Sequence, residues 1–325
     1  DTTVLLFEHK EGGAIAELWS VHGAGHGPVF NQRYTNMVVN WLLLHRRIGE
    51  KKIDIEKKSV MSPPSDEIIE EFKLDSFYRK CLLVNGMPIV ASEHVRDESL
   101  FEAEYLIRNM IGHRPDILSA MAQNKTRFAI MSPTEFTTDI PEHSDLEPKG
   151  YWDKRSRGLG ATAHRPAVSC GEENLLCLPG DPYSTENILV HEFAHAIHEM
   201  GLVDVDPEFD KRLEKIYTSA MDNGLYKDTY AATNRMEYWA ESVQSWFYTN
   251  RENDAEHNFV NTREELKEYD PKMAGLIEEI FLDESWRYIR PENRQETIFT
   301  EVNDDGRKFF WPPEVTSAYE KSMLE

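Results

Sequence analysis

The stretch Val190–Gly201, VHEFAHAIHEMG, decides how this chain is read. Two histidines, His191 and His195, stand four residues apart and bracket Glu192. On an α-helix residues four apart lie one above the other on one face, so both imidazoles can reach a single point. H-E-x-x-H is the arrangement by which two helical histidines hold zinc while the glutamate acts as general base toward water. Apolar Ile188, Leu189, Phe193, Ala194 and Ile197 surround the motif and imply a buried helix. Buried polar groups need a partner, and a metal is one. The plain alternative is an amphipathic helix with polar residues on one face, since three fixed positions in five arise often by chance.

A catalytic zinc takes three protein ligands. In metzincins a histidine follows the second His by six positions with a glycine between. Here position 198 is His and position 201 is Gly, the reverse order. His198 lies nearly two turns from His191, roughly 10 Å along the axis at 1.5 Å per residue. It is therefore assigned to the surroundings of the site or to core packing. A glutamate from a later helix is the other common solution. TYAATNRMEYWAESVQSWF, Thr229–Phe247, reads as such a helix, with Glu237 and Glu241 on one face among Tyr238, Trp239 and Trp246. On spacing alone either carboxylate serves.

VHEFAHAI together with YAATNRMEYWAE resembles the catalytic region of anthrax lethal factor and its relatives, a gluzincin family. That family pairs an HEFGH-type helix with a segment Y-x-x-T-N-x-x-E-aromatic-aromatic-A-E, and Ala194 stands here for its glycine. The resemblance implies His191, His195 and Glu237 as ligands of one zinc per chain, with Glu192 as base. It implies that Tyr230 steadies the oxyanion or leaving group and that Glu241 orients a ligating histidine. The two segments span about sixty of 325 residues. No receptor-binding or targeting domain of that family is recognisable, so nothing about a toxin role carries over.

Outward from the motif, the bulk numbers bound the answer. The chain is long enough for one large or two smaller domains, and its 40% hydrophobic content marks a globular protein. The net charge of −22, with no long basic block, argues against nucleic acid as a partner. The longest apolar run, Asn36–His45, is too short to cross a membrane. Cys170 and Cys177 can close a small disulfide loop, which would suit a secreted or extracytoplasmic setting, and two reduced buried thiols fit as well. The chain opens at Asp1 without Met, which a removed leader or a start inside a longer protein would both explain.

Residues 1–50 read as two strands around Gly12-Gly13, a Gly/His loop and a helix from Gln32 to about Arg47. They bear a weaker resemblance to the C-terminal end of esterase-type α/β-hydrolases, with His26 as the loop histidine. The G-x-S-x-G elbow such enzymes need is missing. A charged, Pro-bearing connector at 49–66 precedes a helix-rich stretch from Asp66. Helices are expected over Asp97–His113 (opening on a good cap), from Arg114, and over Phe209–Asn223, Arg235–Tyr248 and Thr262–Phe281. TRFAIMS (Thr126–Ser132) and ENLLCLP read as strands, either of which can be the edge a peptide adds to. Pro133–Gly171 reads as a long functional loop. Within it, TTDIPEH is a candidate second cation site or a solvated loop. Arg155, Arg157 and His164 are candidates for a substrate carboxylate or plain surface residues. Gly201 is read as the cap that ends the motif helix. Asn124 opens an N-K-T sequon.

The resulting expectation is an α+β, zincin-like metallopeptidase domain over 66–325, helix-rich with a small mixed sheet and a helical N-terminal part. A small N-terminal α/β segment would precede it. The expected activity is zinc-dependent endopeptidase, acting on a peptide or protein substrate. The alternatives are a zinc hydrolase of a non-peptide substrate and a non-catalytic zincin-like binding module.

Overall fold

The structure, a computed structural model, describes residues 2–7, 16–21, 59–284, 286–294 and 306–324. The chain separates into two units, Asp1–Ser59 and Val60–Glu325. In the first, β1 (Thr2–Phe7) pairs antiparallel with β2 (Ala16–Val21). The expected helix from Gln32, the loop with His26 and most of the connector lie outside the described residues.

The second unit is α+β, built on a five-stranded mixed sheet. It opens with α1 (Asp66–Phe72) and then, where the sequence reads only as helix-rich, a hairpin of β3 (Lys80–Val84) and β4 (Met87–Ala91). The cause is Asn85-Gly86: both residues take positive φ, 47° and 88°, as a two-residue hairpin turn demands. Helices α2 (Asp97–Ile111) and α3 (Pro115–Gln123) then cross over to β5 (Arg127–Met131), parallel to β4. Asp97 does not cap α2. Glu172 from a distant segment accepts from the Arg96 N–H and the Ser99 hydroxyl instead.

The long stretch after Pro133 carries structure of its own: α4 (Lys149–Arg155), β6 (Gly158–Leu159) and β7 (Ala167–Gly171). ENLLCLP is not a strand. Its start forms the short helix α5 (Glu172–Leu175), and the strand is the preceding AVSCG. The sheet order is β3-β4-β5-β7-β6, so TRFAIMS is central and the edge on that side is β6. β4, β5 and β7 are buried along their whole length, as strands covered on both faces are. Phe128 and Ile130 face the large core, whereas Ala129 and Met131 face Ile68 and Phe72 of α1.

The motif helix α6 (Ile188–Ala196) continues through a widened π-type turn, Ile197–Leu202, to Val205. Gly201 is therefore inside the helix, not its cap. A Cβ there would lie 2.7 Å from Ile117 Cγ2, so glycine is what lets α3 and this turn approach. After α6 come α7 (Phe209–Asp222) and α8 (Arg235–Trp246). The expected helix Thr262–Phe281 is two, α9 (Arg263–Tyr269) and α10 (Pro271–Phe281), broken where Asp270 caps and Pro271 opens the second. A last helix, α11 (Pro313–Ser322), packs on α4: Tyr151 stacks on Tyr319 at 5.9 Å. All three cysteines are free thiols, so the disulfide reading falls. No helix among the described residues is long and apolar enough to cross a membrane.

Candidate metal centre

Asn187 starts α6 by accepting from the Val190 N–H, and buried Leu189, Val190, Phe193 and Ala194 seat the helix under β7. Phe193 meets Phe128 of the sheet edge-to-face. This packing turns His191 and His195 to one side, toward α8. The Thr-Asn of the second segment has a mechanical role. Asn234 is the N-cap of α8, accepting from the N–H groups of Met236 and Glu237 at 2.8 and 3.0 Å. Glu237 thus sits in the first turn, where the helix dipole favours its ionised form. Trp239 ties the two helices by donating from Nε1 to the Ala194 carbonyl at 2.8 Å.

Three donor atoms converge as a result. His191 Nε2 lies 3.1 Å from Glu237 Oε2 and 3.2 Å from His195 Nε2, and His195 Nε2 lies 3.4 Å from Glu237 Oε2. Ligands about 2.0–2.1 Å from a tetrahedral zinc stand roughly 3.3 Å apart, so this near-equilateral triangle has the size one face of such a site requires. Among the described residues this is the one cluster of metal-ligating side chains that closes in this way. The electrostatics agree. Burial opposes charge on His191, yet Glu237, backed by Glu192 and Glu241, draws its pKa up to about 10. The pocket therefore favours positive charge. Burial would raise the Glu237 carboxyl, but its bonds to the two histidines hold it well below the usual range.

The outer nitrogen of His191 is held by a residue the sequence reading missed. Nδ1 lies 2.8 Å from Gln244 Oε1. The Gln244 amide nitrogen donates to Glu186 Oε2, the Asn187 carbonyl and the Thr249 carbonyl, which fixes the amide's orientation. An amide oxygen only accepts, so Nδ1 carries a proton whatever the charge on the ring, and Nε2 is the nitrogen that a ligand displacing its own proton would find. Glu241 stands further off, its Oε1 3.5 Å from His191 Nδ1, and its other oxygen lies 3.3 Å from His257 Nε2. His257 also meets Asp254 at 2.8 Å; burial lowers its pKa, but the two carboxylates outweigh that and raise it. Gln244 falls two turns after Glu237, and that spacing in Thr229–Phe247 was the available signal.

Glu192 is half-buried beside the triangle, and burial pushes its carboxyl up. It makes no hydrogen bond or ion pair among the described residues and borders two adjoining recesses of 240 and 530 Å³. The larger is of the size that holds small ligands. Tyr230 borders both, its ring 6.4 Å from that of His191. The edge strand β6 is pressed on α6 by its glycines: a Cβ at Gly160 would lie 2.8 Å from His195 Cβ, and one at Gly158 would lie 2.4 Å from Ile188 Cγ2.

Other candidates stand elsewhere. His198 packs edge-to-face on Phe209, with Nε2 3.2 Å from Asp210, and burial lowers its pKa to about 4. TTDIPEH does not converge: Asp139 accepts from the Phe136 N–H, Glu142 meets Tyr78 and Arg127, and His143 is buried. Arg157 is fully buried against Glu173 and His164 is exposed, which leaves Arg155 at the cleft. The Asn124 amide nitrogen, the atom a glycan would take, donates to the Met200 carbonyl and Asp204. Comparison with protein families, with curated proteins and with solved structures finds no match.

Proposed function

We propose that this chain is a zinc-dependent endopeptidase of gluzincin type on a zincin-like scaffold. The observation that carries the reading is the triangle of His191, His195 and Glu237 donors with an unpaired Glu192 on the same helix face, bordering an open cleft. A structural metal site has no use for such a carboxylate. Bound zinc would supply a Lewis acid that polarises a carbonyl and lowers the pKa of water to about 7. The chain's residues do the rest. Glu192 takes the proton of the attacking water and returns it to the leaving amine. Gln244 keeps His191 in the ligating tautomer, and Tyr230 faces the oxygen that becomes negative. A substrate strand would lie along β6, whose outer edge ends the sheet beside Glu192.

The test pairs zinc content by elemental analysis with cleavage of a mixed peptide library, for wild type and Glu192→Gln. One zinc per chain in both, with cleavage in the wild type alone, is expected. Zinc in both without cleavage in either would move the assignment to a non-peptide substrate or a binding module. Absence of zinc would reduce the triangle to core packing.

A further inference from the structure

We infer that Arg155 is the oxyanion-binding cation of this cleft, acting beside Tyr230; the inference rests on the peptidase reading above. Arg155 ends α4, and its side chain is exposed. Among the described residues, Arg155, Ser156, Gly158, His191, Glu192 and Tyr230 border both recesses, so they mark the centre of the cleft. Arg155 and Tyr230 thus line the same two recesses.

The charge pattern singles it out. Four arginines among the described residues line the recesses. Arg157 is paired with Glu173, Arg235 with Asp210, and Arg251 with Glu186. Arg155 makes no ion pair among the described residues, although Glu192 and Glu237 border the same cleft. A cation left unpaired among carboxylates is available to a charge that arises only during reaction. The Tyr230 phenol, which lines the same two recesses, is a second donor. The backbone is set in place as well. The Arg155 carbonyl accepts from the Tyr183 hydroxyl at 2.8 Å, and α4 is braced from behind where Gly150 meets Ala318.

The step balances on these groups. Water adds to the carbonyl carbon, its proton passes to Glu192, and the π pair moves onto the carbonyl oxygen. Arg155 and Tyr230 donate to that oxygen while it is negative. Collapse restores the carbonyl, breaks the C–N bond and sends the Glu192 proton to the amine. The donors strengthen their hold only as charge develops, so they act on kcat more than on KM.

Arg155→Gln and Arg155→Lys would be compared with wild type, all zinc-loaded and with zinc content checked. Peptides taken from the library would be used as free acids and as C-terminal amides. For Arg155→Gln a kcat loss of about 10²-fold is expected, with KM within about threefold and the same loss on acids and amides. Arg155→Lys should recover part of it. A readout independent of turnover is calorimetric binding of N-phosphoryl-leucinamide, a tetrahedral anion, which should weaken about tenfold or more in Arg155→Gln. Unchanged kcat and unchanged probe affinity would overturn the inference. So would a loss confined to KM for free-acid peptides, which would make Arg155 a carboxylate-recognition residue, or failure of the wild type to bind the probe. Arg155-dependent probe binding without peptide cleavage would sink the peptidase reading and leave the anion site standing.

Discussion

Replacing Gln244 with leucine tests the most specific structural claim about the metal centre, that this amide sets the tautomer of His191. The change removes one acceptor, 2.8 Å from His191 Nδ1, at a position that is fully buried. Leaving a buried N–H unsatisfied costs about 1–3 kcal/mol. Loss of an orienting partner behind a ligating histidine typically costs about 10- to 100-fold in metal affinity, or about 1.4–2.7 kcal/mol, so the two estimates agree. Glu241 Oε1, only 3.5 Å from the same nitrogen, can move in as a substitute acceptor. The single variant should therefore fall near tenfold, and Gln244→Leu combined with Glu241→Leu, which removes both acceptors, nearer a hundredfold. The assay is competition for zinc against a chelating dye at neutral pH, with folding confirmed by circular dichroism and His195→Ala as the reference for a lost ligand. Unchanged zinc affinity in the double variant, with His195→Ala clearly weakened, would refute the argument.

Two further outcomes follow from packing and burial. Gly201→Val should destabilise by about 1–3 kcal/mol through overpacking against Ile117 and Met121, more than the gain of under about 1 kcal/mol from removing a helical glycine. A denaturant midpoint at or above wild type would contradict the close approach. His143 is buried and its pKa is lowered from 6.5 to about 4. Between those values the unfolded chain takes up a proton that the folded one refuses, so its contribution is intact above pH 6.5 and lost as pH falls toward 4. That loss is on the order of 3 kcal/mol. Urea titrations at neutral pH and near pH 4.5 should show a smaller difference for His143→Phe, and an equal difference would remove His143 from the account.

The legibility of the sequence varied with the range of the interactions involved. Helices α2, α3, α6, α7 and α8 were readable because each carries a 3.6-residue apolar period. The β3–β4 hairpin was readable too, through Asn85-Gly86, but its apolar runs pass as helix when that turn signal is not weighed. Gly201 misleads for another reason. A glycine after a periodic run reads as a cap, and only the contact with α3, some eighty residues away in sequence, shows that it serves packing. At the site, His191, Glu192 and His195 are local and announced themselves. Glu237 needed a resemblance, since Glu241 shares its face, and the geometry that separates them is where Asn234 starts α8. Gln244 offered only its two-turn spacing from Glu237, and His257 could not be placed in advance, because its role arises from a helix and a loop meeting in space.

The distribution of charge ties the core to the cleft. In the interior, buried carboxylates are met by arginines: Glu173 by Arg157 at 2.6 Å, Glu102 by Arg294 at 2.6 Å, and Glu172 by Arg307 at 3.2 Å. Such pairs are costly to break, because one partner alone is a buried uncompensated charge. At the centre of the cleft the pattern stops. Glu237 meets only imidazoles, and Glu192 meets no cation in ion-pair range among the described residues. As ligands the two imidazoles would be neutral, and the charge of Glu237, with that of Glu192 when ionised, would then lack a counter-charge in a partly desolvated place. Under the proposed reading a divalent ion held by His191, His195 and Glu237 would balance it and leave Glu192 free to exchange a proton. Once Glu192 had taken that proton and negative charge had moved to the substrate oxygen, Arg155, which makes no ion pair among the described residues, would face it. The same rule would thus account for the core pairs and for the cation left over at the cleft: on this reading the partners of Glu237 and Arg155 would arrive with the metal and the substrate.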